Sequence, residues 1–422
     1  MSFPMTSTPA VICGIVFAAL AAGSARAQML TPVWIEAGAT GAVARVVVTA
    51  AADCPSVTLD GTVKLMAVRL PVPAGLRPAC ELAIPASTQT ASVAGKPLAL
   101  PHPDPSRVVV IGDTGCRIKG TAIQDCNDPA LWPFHSVATG AAKSKPDLVV
   151  HVGDYLYRED PCPAESAAFC GGTPVGDTWA AWDADFFTPA RDLLAAAPWA
   201  FTRGNHESCA RSWRGWFYYL DPRPFSGECD GFSAPYVVKL GRFQLVIFDS
   251  SSATEKDLNL DSQAIYAGQL AGLNVEHAWF VEHHPLWGLK LAAKAEPGTL
   301  PSESPTEVTE AWEKAPLTGI DLIVSGHTHL FELLSFDQGR PTQLVAGDGG
   351  TEMAMPLPAK IAGLKLRGAT LKSGQDAHEF GYTALTRTDS GWSLALTNIA
   401  GKILRTAEIA APSTKTTALK SN

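Results

Sequence analysis

Five short polar clusters in this chain set glycine or proline beside oxygen and nitrogen donors: Gly112-Asp113-Thr114-Gly115, Gly153-Asp154-Tyr155-Leu156-Tyr157, Gly204-Asn205-His206-Glu207, His283-His284-Pro285 and Gly326-His327-Thr328-His329. Asp, Tyr, Asn and His side chains suit a hard or borderline cation. Taken singly, each cluster has a plain structural reading: Gly-Asp is a common turn, Gly-Asn-His can cap a helix, and His-x-His can be a surface pair. Five in order, each just after a strand-like run, make coincidence a poor account of them.

The runs that must position these clusters are Arg107 to Ile111, Asp147 to Val152, Pro198 to Thr202, Phe243 to Asp249, His277 to Glu282 and Asp321 to Val324. They are short and mostly apolar, the pattern of strands buried on both faces. Thr178 to Ala196 and Ser262 to Leu273 carry helical character, and Tyr382 to Thr388 and Trp392 to Asn398 read as strands closing a sheet near the C-terminus. Alternation of strands and helices predicts an α/β sandwich, and in open α/β sheets ligands collect beyond the carboxyl ends of the strands. Glycine before four of the clusters frees the backbone to turn sharply there.

Ahead of this region the character changes. Ala42 to Ala50, Ser56 to Leu59 and Val63 to Leu70 are β-leaning and punctuated by Gly and Pro, which predicts a small all-β domain over 28–100. Prolines at 97, 101, 103 and 105 mark a stiff boundary, with the linker proper at 101–106 and the second domain at 107–410. The polar tail over 411–422 reads as disordered.

At the N-terminus, Ala10 to Ala22 form an apolar run too short to span a bilayer comfortably, followed by Ala25-Arg26-Ala27, a small-x-small cleavage pattern. Residues 1–27 therefore read as a signal peptide, although no Lys or Arg precedes the run; a membrane anchor is the competing reading. Removing Cys13 with this segment leaves eight cysteines. Their spacing makes four local couples, Cys54 with Cys80, Cys116 with Cys126, Cys162 with Cys170 and Cys209 with Cys229, and closing short loops is entropically cheapest. The absence of any C-x-x-C weakens a cysteine zinc site. These features predict a periplasmic or extracellular protein with no stable membrane insertion after signal removal.

The 422 residues are 46% hydrophobic and 18% charged, enough for a sizeable core, which excludes a disordered or fibrous chain. Acidic residues outnumber basic ones 41 to 33, a net charge of -8, which argues against polymeric nucleic acid as a partner.

The five clusters together resemble the calcineurin-like metallophosphoesterase superfamily, and within it the purple acid phosphatase branch. The broad family opens with D-x-H, where this chain has Asp113-Thr114-Gly115; the purple acid branch has D-x-G there and adds G-D-x-x-Y, matched by Asp154 and Tyr157. The resemblance covers about Arg107 to Gly350 and implies a metallophosphoesterase-type sandwich, with the β-rich N-terminal part similar in position to a fibronectin-like domain. It implies two metal ions, one held by Asp113, Tyr157 and His329, the other by Asn205, His283 and His327, with Asp154 bridging. His283 rather than His284 follows from the family's H-x-P pattern. A phenolate favours Fe(III) in the first site, and a divalent Zn, Mn or Fe suits the second.

The implied chemistry is hydrolysis of a small phosphomonoester by metal-activated hydroxide, without a side-chain nucleophile. His206 is the candidate to contact phosphate or protonate the leaving oxygen, the other reading being a histidine that orients a ligand through Glu207. Arg203 and His284 are candidate substrate contacts, with a structural ion pair the other reading of Arg203. His151 reads as a core histidine and the Trp179/Trp182 pair as core. The aromatic run Trp213, Trp216, Phe217, Tyr218 and Tyr219 reads either as a pocket wall or as loop packing. The same motifs admit a phosphodiesterase or nucleotide pyrophosphohydrolase, and a noncatalytic binding or adhesion protein is the alternative from another class.

Overall fold

The computed structural model describes residue 1 and residues 28–255, 258–292, 295–296 and 299–410. Residues 2–27 of the expected signal segment 1–27 and the tail over 411–422 lie outside the described residues.

Strands with two apolar faces need cover on both sides, and this decides the architecture. Val108, Val110, Leu148, Val150 and Ala200 point into a core shared with Leu245, Trp279, Val281, Leu322 and Val324 of a second sheet. The alternate residues Val109, Ile111, Val149, Trp199 and Phe201 pack instead on helical segments that include Phe134–Lys143 and Arg191–Ala196. On the far side of the second sheet, Val246, Phe280 and Ile323 pack against helices Leu260–Ala271 and Glu307–Lys314. The result is the expected α/β sandwich: two mixed sheets face to face, with helices outside.

The parallel heart of the first sheet is Arg107–Ile111, Leu148–His151 and Trp199–Phe201. That of the second is Phe243–Ile247, Ala278–Val281, Ile320–Ser325 and Thr342–Ala346. Both sheets extend through antiparallel strands. Gly381–Thr388 pairs with Arg107–Ile111 and leads to Gly391–Asn398 and Ile403–Ala410, while Phe331–Phe336 and Ala369–Ala377 extend the second sheet.

The N-terminal strands do not stand apart as a separate fibronectin-like domain. Trp34–Gly38 joins the first sheet beside Trp199–Phe201 in parallel, with Glu36 opposite Trp199, and Gly41–Val47 and Ala79–Ile84 follow in the same sheet. A small four-stranded sheet covers them over a core that includes Val46, Val57 and Val93. The aromatic run settles as packing at this junction. Phe217, Tyr218 and Tyr219 are buried, the Tyr218 hydroxyl donates to the Arg69 carbonyl (3.0 Å), and Arg45 donates to the Tyr219 carbonyl (2.7 Å).

The expected helix over 178–196 is broken into Trp179–Trp182, a π-turn at Asp183–Phe187, and Arg191–Ala196. The widened turn places Asp185 inside the protein, where its carboxylate accepts from Cys116 N (3.2 Å) and Tyr157 N (2.9 Å) and pairs with Arg158. All four cysteine couples are joined as the spacing predicts. No helix among the described residues is long and apolar enough to cross a membrane.

Candidate metal centre

The polar clusters leave the strands through backbone that few side chains tolerate. Asp113, Asp154 and His327 have φ of 53°, 59° and 68°, the left-handed region that is uncommon outside glycine and tends to gather at functional sites. Two glycines are needed by close approach: a side chain at Gly204 would run into Asp154, and one at Gly326 into the Asp113 carboxylate.

These turns bring the expected ligands together in two groups that share one residue. The Tyr157 phenol oxygen lies 3.0 Å from Asp113 Oδ1, 2.7 Å from Asp154 Oδ2 and 3.0 Å from His329 Nε2. On the other side, Asn205 Oδ1 lies 3.0 Å from His283 Nε2 and 3.2 Å from His327 Nδ1, and His283 Nε2 is 3.1 Å from Asp154 Oδ2. Asp154, His283 and His327 form a group whose donor atoms all lie within 4.8 Å of one another, the one such trio of acidic or imidazole side chains found among the described residues.

The tautomers fit a cation. His283 Nδ1 donates to the Val152 carbonyl (2.8 Å), His329 Nδ1 to the Glu352 carbonyl (2.8 Å) and His327 Nε2 to the Glu255 carboxylate (3.0 Å). Each imidazole has one nitrogen committed to an outer oxygen, so the opposite nitrogen turns a lone pair into the cluster. The Asn205 amide satisfies its neighbours when its NH2 faces Asp154 (3.2 Å), His283 (3.0 Å) and His327 (3.2 Å) and its oxygen accepts from Arg211 (3.1 Å); a half turn of the same amide would offer the oxygen to a cation.

Electrostatics agree. Burial pushes the Asp113 carboxyl up to about 8, and burial together with Asp154 and Asp113 pushes the Tyr157 phenol well above its ordinary value. For Asp154 burial works upward too, but His283 and His206 outweigh it and hold the carboxyl well below the usual range; burial works against charge on His283, yet Asp154 raises it to about 9, so His283 carries the positive charge that a cation in the cluster would replace. Two carboxylates and a phenolate this close in a dry site need positive charge among them to ionise together.

Residues 106–331, more than half of the chain, match the calcineurin-like phosphoesterase family. The chain belongs to that family. It is a hydrolase of phosphoester bonds. Among solved structures it is similar to a purple acid phosphatase, PPD1, from yellow lupin (Lupinus luteus) seeds, at 15% identity and a TM-score of 0.57, over 89% of this chain and 73% of that one. It is also similar to PhoD, at 11% identity and a TM-score of 0.51, over 89% of this chain and 92% of that one. At these identities the likeness is one of fold. No curated protein sequence matches the chain.

In this phosphoesterase His206 sits over the Tyr157 ring, centroids 3.7 Å apart, with Nε2 3.9 Å from Asp154 Oδ2. Its Nδ1 contacts Glu159 rather than Glu207. Glu207 has a different task. Its carboxylate accepts from the backbone N–H of Asp154 (3.1 Å), Tyr155 (2.9 Å), Leu156 (3.1 Å) and Gly204 (3.2 Å), clamping two ligand loops together.

The two candidate substrate contacts lie outside the cleft lining. Arg203 is buried in an ion pair with Asp249 (3.0 Å), its guanidinium over the Phe217 ring. His284 is buried against Ser250 and the His327 ring, next to the expected ligand His283. His151 is a core residue as expected, bonded to Thr114 Oγ1 (3.1 Å) and stacked on Tyr155.

The open cleft of about 630 Å³ is lined by residues that no motif marked, among them Arg117, Lys119, Arg211 and Lys290 with Met353 and Met355. The carboxylates of Glu159 and Glu255 were also unmarked. These residues arrive on loops and on the two-residue strands Ile118–Lys119 and Leu289–Lys290, from distant parts of the chain; the one local signal was that Arg117, Lys119 and Arg211 fall inside cysteine-closed loops.

Proposed function

We propose that the protein is an exported phosphomonoesterase with a dinuclear metal site, of the purple acid phosphatase type. The single observation that carries this reading is the trio of histidines, each anchored through one nitrogen and turned with the other toward Asp113, Asp154, Tyr157 and Asn205. Asp113, Tyr157 and His329 would hold an Fe(III), Asn205, His283 and His327 a divalent Zn, Mn or Fe, and Asp154 both. Bound there, the ions supply charge for the phosphoryl oxygens and acidify a water molecule. The chain's own groups do the rest. Asp154 and Tyr157 fix the spacing of the two half-sites, and His206, held by Glu159, presents Nε2 toward the cleft as the proton donor for the leaving oxygen. Four disulfides and the signal-like N-terminus support export.

Metal analysis of the purified protein, with turnover of a chromogenic phosphate monoester and diester, tests this. Two ions per chain and preference for the monoester are expected, and Asp154→Asn should lose both activity and metal. Preference for the diester would reassign the enzyme to phosphodiester substrates. Metal-free protein, or full turnover by Asp154→Asn, would sink the site.

A further inference from the structure

The cations around the cleft are not equivalent. Lys119 pairs with Glu159 at 2.8 Å, Arg211 faces the same carboxylate at 3.5 Å, and Lys290 pairs with Glu255 at 2.5 Å. Arg117 alone among these four has neither a carboxylate nor a hydrogen-bond partner for its guanidinium among the described residues, and its Nε is buried without a partner. Its carbon Cζ stands 5.4 Å from the centre of the Tyr157 ring, whose hydroxyl is the meeting point of Asp113, Asp154 and His329.

The side chain is also well supported. The Cys116–Cys126 disulfide closes the loop that carries it, Arg117 N donates to Gln124 Oε1 (3.0 Å), and Asp185 ties the preceding Cys116 to Tyr157. A rigidly mounted, unpaired guanidinium beside a cluster of metal-ligating type is built to meet an anion through two parallel N–H bonds.

We propose that Arg117 grips the non-bridging oxygens of the phosphoryl group in the cleft, so that the phosphate is held by this side chain as well as by the metals. The inference rests on the phosphatase reading above. Its test uses the full, metal-reconstituted protein with inorganic phosphate as the probe, in wild type, Arg117→Met and Arg117→Lys. Binding is read by calorimetry and by product inhibition, and metal content is measured alongside.

Arg117→Met should weaken phosphate binding by about tenfold to a hundredfold, the range for a lost charged hydrogen bond, with metal content unchanged. Arg117→Lys should recover only part, since a point charge cannot make the paired contact. Phosphate affinity within twofold of wild type in both variants would overturn the proposal, as would loss of metal in step with affinity, or a wild type that binds no phosphate. A defect confined to pyrophosphate, with inorganic phosphate bound normally, would overturn it too. A wild type that binds phosphate yet turns over no ester would refute the catalytic reading while the Arg117 comparison still stood.

Discussion

Glu207→Gln is a one-atom change whose cost follows from the bonds around it. Glu207 is fully buried, and each of its two oxygens accepts two backbone N–H groups, Tyr155 and Leu156 on Oε1, Asp154 and Gly204 on Oε2. Glutamine keeps one of these acceptors and turns an NH2 toward the other two N–H groups. Two buried donors then lose their acceptor, at about 1–3 kcal/mol each, so roughly 2–6 kcal/mol of destabilisation is expected, a fall in Tm of roughly 2–8 °C for a chain of this size. The slack falls on the segments that present Asp154, Tyr157 and Asn205, so metal affinity should drop about tenfold to a hundredfold, the usual effect of removing a group that orients ligands. Thermal melting of the metal-free and reconstituted variant, with a metal titration, reads both quantities. A Glu207→Gln protein that melts and binds metal like wild type would show that the clamp does not hold the site.

Three further outcomes are expected. His206→Ala should lower kcat by about a hundredfold to ten-thousandfold on an alkyl phosphate and far less on a nitrophenyl phosphate, whose leaving group departs without a proton; equal losses on both would remove His206 as the acid. Tyr157→Phe should abolish any visible absorption band of the iron-loaded protein and weaken the first site, and a band that persists would mean that Tyr157 does not ligate iron. Glu332 is buried with its one hydrogen bond from Leu289 N (3.0 Å), and burial pushes its carboxyl from 4.5 up to about 8. It is protonated in the fold at neutral pH and ionised in the unfolded chain, so its contribution to stability falls as pH rises from about 4.5 to about 8. Glu332→Gln, with no proton to lose, should therefore gain on wild type across that window, by at most about 5 kcal/mol, and parallel denaturation profiles from pH 5 to 8 would refute the assignment.

What was legible in the sequence was local. Val108 to Ile111 and Leu148 to Val150 announce buried strands because both faces are apolar, and the ligand clusters follow such strands within one to six residues in the chain. Phe331–Phe336 was harder to see, since Glu332 breaks the apolar run and is buried nonetheless, and Ala369–Ala377 is a largely polar strand whose place is set by pairing with it. Of the N-terminal strands, Gly41–Val47, Ser56–Leu59 and Thr62–Leu65 were readable, while Trp34–Gly38 and Ala79–Ile84 went unread, and so did the sheet they join. Membership in the large sheet rests on the pairing of Glu36 with Trp199, 163 positions apart. The same limit hid Glu159, Asp185, Glu255 and Arg117, which meet His206, Tyr157 or His327 through contacts that carry no pattern of their own.

The backbone strain at Asp113, Asp154 and His327 and the hydrogen bonds beside it belong to one device. Left-handed backbone at Asp113, Asp154 and His327 costs about 1–3 kcal/mol at each, and it persists because these side chains and their neighbours hold one another. Asp113 uses Oδ1 toward Tyr157 and Oδ2 to accept His327 N (2.8 Å); Asp154 uses Oδ2 toward both groups and Oδ1 to accept His206 N (2.8 Å). Each carboxylate thus divides its oxygens between scaffold and site. An alanine at either position would release a strained turn as well as a ligand, confounding the two losses. Asparagine at 154 keeps an oxygen for His206 N and changes the atom facing the cluster, so metal loss in Asp154→Asn with unchanged folding would report on the donor itself. The chain's own hydrogen bonds thus help to hold these groups in place, and such preorganisation would let a site bind and polarise without rearranging during the reaction.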